Sequence, residues 1–441
     1  MNNKLSESLS AQKKAINKIP GMCQLLSKRP DMFSLNVWPA YYSKSEGAKV
    51  WDLDNNEYLD MSIAGIGACV LGYADQEVDD AVKSAIANGV ASSLNCYEEV
   101  ELAEKLCDLH PWADMVRYSR SGGEAMAMAV RIARASSGKD VVAFCGYHGW
   151  HDWYLAANLG TENALGEHLI SGLNPAGVPK GLTGSSYPFC YNKIEELEEI
   201  VAKNKGKLGV IVMEPLRSCD PEPGFIEAVR KIADEEGAVL IMDEISAGFR
   251  YTTGGAHLVK HKVSPDMAVF SKALGNGYAI SAVIGRESVM QAAQKTFISS
   301  TNWTERIGPA AALATIRKHK RENVADHLVS MGTQVMQGWK KLGDKYGFDL
   351  HVGGMEAMSH FSIEHPDFLS LKALFIQHML DKGFLASNLC YIMHTHTQEH
   401  IDTYLEACDS GFKLIREAMD KGDVTSRLKG NPSVAGFKRL S

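Results

Sequence analysis

The chain has 441 residues, with 46 Lys and Arg against 53 Asp and Glu for a formal charge of −7. At roughly 150 residues per domain this allows about three domains or fewer, with a core large enough to need no disulfide or metal staple. The composition, 45% hydrophobic and 22% charged, is that of an ordinary globular protein, and the mild acidity argues against a nucleic-acid binder, which would show a basic face.

The opening stretch, MNNKLSESLSAQKKAINK, holds no apolar core of signal-peptide length, so no secretion signal is expected. No run of about 18 apolar residues occurs, so no membrane span is expected. The nine cysteines (23, 69, 96, 107, 145, 190, 219, 390 and 408) form no Cys-x-x-Cys pair, and reduced thiols in a cytoplasmic protein are the simplest account. Lys49–Leu53 and Glu57–Asp60 read as a hairpin around Asp54-Asn55-Asn56. From about 75 to 330, helical patterns (77–89, 99–109, 123–136, 193–204, 224–236) alternate with apolar runs of strand length (Val141–Phe144, Leu208–Met213, Val239–Met242, Met267–Phe270). That alternation implies a mostly parallel sheet covered on both faces. A long helix (325–345), strand candidates over 348–364, a helix (368–382), the strand Leu389–Met393 and a helix (398–420) then read as a smaller α+β domain. The expected division is an N-terminal segment (1–74), a large domain (75–335), a C-terminal small domain (336–420) and an extended tail (421–441).

Four segments follow strand patterns, where ligands bind in open α/β sheets. Ser119-Arg120-Ser121-Gly122-Gly123-Glu124 follows Met115–Tyr118 and opens a helix. Two glycines and free helix N–H groups suit an anion, although a capping box alone would explain Ser121 and Glu124. Cys145-Gly146-Tyr147-His148-Gly149-Trp150-His151-Asp152 offers a ring beside glycines, a platform for a flat ligand or simply aromatic packing. Asp243, at the end of an apolar strand, is costly there unless it meets a positive partner, a cofactor ring nitrogen or a salt bridge. Lys272, directly after Val269-Phe270-Ser271, is a semi-buried amine able to form a Schiff base. Anion cradle, aromatic platform, carboxylate and amine together match the needs of pyridoxal phosphate (PLP). Asp243 and Lys272 are 29 residues apart, one βαβ-sized step.

These residues resemble the class III, fold-type I PLP-dependent aminotransferases, nearest the glutamate-1-semialdehyde 2,1-aminomutase-like branch. The resemblance runs from about Val50 to Ala407 through Val50-Trp51-Asp52-Leu53-Asp54, Leu71-Gly72-Tyr73-Ala74, Ser121-Gly122-Gly123-Glu124-Ala125, Gly146-Tyr147-His148-Gly149, Met213-Glu214-Pro215, Asp243-Glu244, Phe249-Arg250 and Ser271-Lys272-Ala273-Leu274-Gly275-Asn276-Gly277. It implies an α/β fold: a large domain on a mostly parallel seven-stranded sheet, plus a smaller α+β domain from both ends of the chain. It further implies that Lys272 carries PLP as a Schiff base and shuttles the substrate proton. Asp243 pairs with the pyridine nitrogen, Tyr147 and Ile245 cover the ring faces, and His148 belongs to the cofactor pocket. Ser121, Gly122 and Gly123 take the phosphate, Glu214 lies near the phenolic oxygen, and Thr301 reaches the phosphate of a neighbouring subunit in a homodimer.

The implied activity is ping-pong amino transfer from a small-molecule donor to a carbonyl acceptor, with an aminomutase or racemase on the same scaffold as the alternative. A third possibility, a non-catalytic binding protein, has no use for both Lys272 and Asp243. Gly123 stands where many members have Thr or Ala, and the arginine that aminomutases carry near their N-terminus has no clear equivalent. Trp38, Pro39, Tyr41 and Tyr42 stand there instead, the N-terminal aromatics are expected to line the pocket, and Tyr41, Tyr42 and Trp303 suit a bulky or hydroxyl-rich acceptor. Arg217 is a possible anion contact. His394, His396 and His400 mimic a metal site, but the run reads as the opening of the final helix.

Overall fold

The computed structural model describes residues 5–216, 220–261 and 263–435, so Arg217 and Cys219 lie outside the described residues. The chain forms two compact units, one over Gln76–Asp326 and one from the segments up to Asp75 and from His327 onward.

The larger unit is built on seven strands: β1 (Met115–Ser119), β2 (Val141–Cys145), β3 (Ser186–Pro188), β4 (Leu208–Met213), β5 (Val239–Asp243), β6 (Met267–Phe270) and β7 (Ser281–Gly285). Their order is β1-β7-β6-β5-β4-β2-β3. β7 runs antiparallel to β1 and β6, and every other pair is parallel. Every residue of β2, β4, β5, β6 and β7 is buried, so these strands are continuous apolar runs rather than alternating ones.

Helices α1 (Gln76–Ala87), α2 (Glu98–Leu109), α3 (Gly122–Ser137), α4 (Ile194–Lys203), α5 (Phe225–Glu236) and α6 (Ile307–Arg321) belong to the same unit. α3 buries Ala125, Met126, Met128, Ala129, Val130, Ile132 and Ala133. These pack in one core cluster with Val142, Phe144, Val210, Val212, Ile241, Val269 and Val283 of the sheet. Burying each of the larger side chains contributes about 1.5–3 kcal/mol, which fixes the helix, and so its N-terminus, against the strands.

Parallel register determines where the functional segments emerge. Cys145 pairs with Met213, Met213 with Met242, and Asp243 with Val269. β1, antiparallel to β7, therefore points the same way as β6. The residues after β1, β2, β4, β5 and β6 leave the sheet along one edge.

The other unit contains a sheet of Tyr42–Glu46, Lys49–Asp52, Glu57–Met61 and Phe384–Ala386, the last parallel to its neighbour. The hairpin turn is closed by Asp52, whose carboxylate accepts from Asp54 N and Asn56 N, both at 2.9 Å. The region 348–364 is two antiparallel strands, Leu350–Met355 and Met358–Ile363, and Leu389–Tyr391 joins the second. Trp38 is core here, stacked on Phe33 at 4.1 Å, and Tyr41 donates its hydroxyl to Met22 O at 2.9 Å. Tyr42 stays 64% exposed. Of the expected extended tail, residues 422–435 are described and are pinned to the rest of this unit: Lys429 N donates to Gln377 Oε1 and Val434 N to Asp31 O, both at 2.9 Å, and Ser433 is buried.

The histidine run opens the final helix, Gln398–Lys421. His400 Nδ1 accepts from Thr397 N at 3.2 Å, while Thr397 Oγ1 accepts from His400 N at 3.3 Å. His396 Nδ1 accepts from Met393 N at 3.0 Å, so its other nitrogen is the donor to Asp60 O at 2.8 Å. The eight described cysteines are thiols, and among the described residues no helix is long and apolar enough to cross a membrane.

Candidate active site

The turn between β1 and α3 presents the first cluster. Glu124 reaches back to Ser121 N at 2.9 Å and Arg120 N at 3.2 Å, and also accepts from Ser121 Oγ at 3.1 Å. The capping box takes up the Glu124 amide, while those of Gly122 and Gly123 at the helix start have no intrahelical partner, the ordinary state of a helix N-terminus and a receptor for an anion. Gly122 packs closely on Ile245: a Cβ there would lie 2.9 Å from Ile245 Cδ1, and that side chain would have to shift. Gly123 sits against the loop after β2, where a Cβ would lie 3.3 Å from Trp150 Nε1. A side chain at this position, where many members have Thr or Ala, would need that loop to give slightly.

After β2, Gly146 adopts φ +114°, a backbone state unsuited to other residues, and a Cβ on it would overlap Glu214 Oε2. Glu214, at the end of β4, accepts from Tyr147 N at 3.3 Å. The Tyr147 ring is 45% exposed and meets Tyr154 edge-on at 6.2 Å. Burial, then Asp243 and Glu214, push its phenol above the usual range.

His148 points the other way. It is buried, with Nδ1 2.7 Å from Asp243 Oδ2 and Nε2 3.0 Å from Cys145 O. Both neighbours are acceptors when Asp243 is ionised, so a ring that satisfies both carries two N–H donors. The Asp243 carboxylate, at the end of β5, is further fixed by Ile245 N, which donates to Oδ1 at 3.0 Å. His148 therefore stands behind Asp243 as its brace.

Lys272 follows β6 with φ +45°, a strained state for a side chain of this kind and one that persists only where the surroundings impose it. Its Nζ donates to Ser246 Oγ at 2.6 Å. Burial, then the nearby Arg250 guanidinium, push the amine down to about 8, against the opposing pull of Asp243 and Glu214. Arg250 is buried and donates from Nε to Ser246 O at 3.2 Å.

Glu244 holds this turn from below. It accepts from Ala256 N and His257 N at 2.9 Å and from His257 Nδ1 at 2.6 Å, while Trp112 Nε1 donates to His257 Nε2 at 3.0 Å. With Nε2 accepting, His257 is a neutral ring that donates from Nδ1 to the ionised Glu244. The hydrogen bonds hold that carboxyl below its usual range although burial opposes them.

The structure thus gathers Ser121, Gly122, Gly123, Tyr147, His148, Glu214, Asp243, Ile245 and Lys272 at one sheet edge. Thr301 is exposed on a separate turn, Thr301–Thr304, and among the described residues its side chain shares no hydrogen bond with them. Sequence reasoning missed the contact of Ser246 with Lys272 and the placement of Arg250. Ser246 carried a faint signal, lying three residues after Asp243 in the same turn. An amine, a braced carboxylate and a glycine-lined helix N-terminus at one edge fit the aldehyde, ring nitrogen and phosphate of PLP.

Comparison with known proteins agrees. The family model for aminotransferase class-III matches residues 33–410. The 3-aminobutyryl-CoA aminotransferase of Cloacimonas acidaminovorans (strain Evry) is 32% identical over 429 residues, covering 94% of this chain and 99% of that one. A glutamate-1-semialdehyde 2,1-aminomutase of Neisseria meningitidis is 30% identical over 403 residues, covering 86% and 92%. Among solved structures, the FumI protein of Sphingopyxis sp. MTA144, a PLP form, superposes with a TM-score of 0.84 at 22% identity over 97% of this chain and 98% of that one. An omega-transaminase from Sphaerobacter thermophilus gives 0.82 at 23% identity, over 93% and 98%. The chain belongs to the class-III aminotransferases, the PLP-dependent enzymes of this α/β fold.

Proposed function

We propose that this aminotransferase works at the carboxyl edge of β1, β2, β4, β5 and β6, exchanging an amino group between a donor and a carbonyl acceptor in two half-reactions. The observation that carries the assignment of residues is the convergence of Lys272, the His148-braced Asp243 and the open amides at Gly122 and Gly123. When bound, PLP supplies an electron sink for the carbon that bears the nitrogen. Lys272 would hold the cofactor through its Nζ, and its free amine, held near 8, is suited to take up and return a proton at the substrate carbon. Asp243 would pair with the pyridine nitrogen, and His148, 2.7 Å from its Oδ2, would hold that carboxylate in place. Tyr147 and Ile245 would flank the ring, Ser121, Gly122 and Gly123 would receive the phosphate, and Glu214 would lie at the phenolic side. Titrating the apo-protein with PLP and then with amino donors tests this, since the bound cofactor must change its absorbance as it accepts nitrogen.

Named relatives guide the substrate. 3-Aminobutyryl-CoA aminotransferase and a β-phenylalanine aminotransferase of Variovorax paradoxus both carry, by name, an amine one carbon beyond the α position. We infer that this chain also serves an amine that is not α to a free carboxylate. The aminomutases among its relatives keep a second reading open, an amino shift within one molecule. Product analysis separates the two, because a shift yields an isomer and no oxo product.

A homodimer belongs to the same reading. Leu94, Tyr97 and Phe297 are 82%, 66% and 94% exposed. Val100, Tyr118, Ser299 and Trp303 line a groove of about 410 Å³. A second copy covering this face would hide the apolar surface and bring Thr301 to the neighbouring phosphate. Sedimentation of the purified chain tests it. A cytoplasmic location fits the thiol state of the cysteines.

A further inference from the structure

Arg120 lies between Ser119, the last residue of β1, and Ser121, the cap of α3. Its Nη2 donates to Glu305 O at 2.9 Å and pairs with Glu305 Oε1 at 3.0 Å, while Nη1 donates to Ser119 O at 3.3 Å. The pair is largely covered, with side chains 14% and 21% exposed. Glu305 is committed in turn: its carboxylate accepts from Ile307 N at 2.7 Å and Gly308 N at 3.0 Å, the first amides of α6. One guanidinium therefore ties the glycine turn to the segment that begins with Thr301 and caps α6. Two features say this tie does more than close a turn. Glu124 already closes that turn through the capping box. A covered ion pair is also an expensive fastener, since desolvating two charges offsets much of their attraction.

We propose that Arg120 is a positioning residue for the cofactor phosphate: clamped to Glu305, it fixes the amides of Gly122 and Gly123 in the geometry that receives the anion. The inference rests on the PLP reading above. Backbone donors stabilise an anion best when they need no rearrangement as it arrives, and a turn free to shift would lose that advantage. Thr301 stands four residues before Glu305, so the same clamp sets the register of both phosphate-directed elements.

The test compares PLP with pyridoxal, which lacks the phosphate, by titrating the apo forms of wild type, R120Q, R120K and E305Q. For R120Q the expected result is PLP affinity weaker by roughly 10- to 100-fold, the range for losing a hydrogen-bonded charge, with pyridoxal affinity unchanged. E305Q should show the same selective loss, and R120K, which keeps the positive charge, a smaller one. Equal losses for both ligands, or none for either, would overturn the proposal. If R120Q does not fold, E305Q decides alone, because Gln removes the ion pair while its one side-chain oxygen still accepts from one of the two α6 amides. Wild type that takes up neither ligand would instead refute the PLP reading, and the clamp with it.

Discussion

Asp243 and His148 are joined at 2.7 Å with the ring of His148 wholly inside the protein, its second nitrogen spent on Cys145 O. The carboxylate proposed to meet the cofactor ring nitrogen thus has a dedicated buried partner. The two residues should fail differently. D243N removes the charge that acts on the reacting system and should lower turnover by at least about 100-fold. H148Q leaves the charge but removes its brace, and a loss of about 10-fold is expected. Steady-state kinetics on both variants check this, and equal losses would mean that His148 acts directly.

Lys272 titrates near 8 because it is buried beside Arg250. Attack on the cofactor aldehyde requires the neutral amine, so the rate of PLP capture by apo-protein should rise with pH and level off above about 8. An ordinary lysine near 10.5 would keep rising across that range. Stopped-flow absorbance from pH 6 to 10 reads the midpoint directly. R250Q removes the nearby positive charge, so its midpoint should move upward.

Gly146 is a point where one methyl group should be decisive. Its φ of +114° is strained for alanine, and the added carbon would strike Glu214 Oε2. G146A should cost roughly 1–3 kcal/mol of stability and weaken PLP binding, read by thermal melts with and without cofactor.

Sequence reading reached these residues for a physical reason. Lys272, Asp243, Gly122 and Tyr147 all lie where an apolar strand ends, and buried strands that end on a charge or a glycine stand out by composition. Contacts that join distant parts of the chain left no such trace. Trp112 and His257 are 145 residues apart, and Arg120 meets Glu305 across 185. Short strands were invisible too: Ser186–Pro188 is three residues long and includes a proline, and Ser281–Gly285 is bounded by small residues. His148 reads as part of the cofactor pocket from its loop, and its 2.7 Å contact with Asp243 is one that spacing alone does not show. Trp38, expected near a substrate, is spent on stacking with Phe33.

Acid should unfold the protein in a defined window. His110 accepts from Gly255 N at 2.9 Å and His396 accepts from Met393 N at 3.0 Å, so neither can protonate without losing that bond. Burial holds both at about 4 against an ordinary 6.5. The unfolded chain takes up these protons first, so stability should fall as pH drops from about 6.5 toward 4, by on the order of 3 kcal/mol per histidine. Chemical denaturation at stepped pH reads the slope, and H110N should flatten it.

The central claim is that Lys272 is the residue that carries the cofactor. Wild-type protein loaded with PLP, reduced with borohydride and mapped by peptide mass spectrometry should carry the pyridoxyl group on the peptide containing Lys272, and the K272A variant should carry none while still binding PLP non-covalently. A label on another lysine, or a K272A variant that still transfers amino groups at the wild-type rate, would contradict the account.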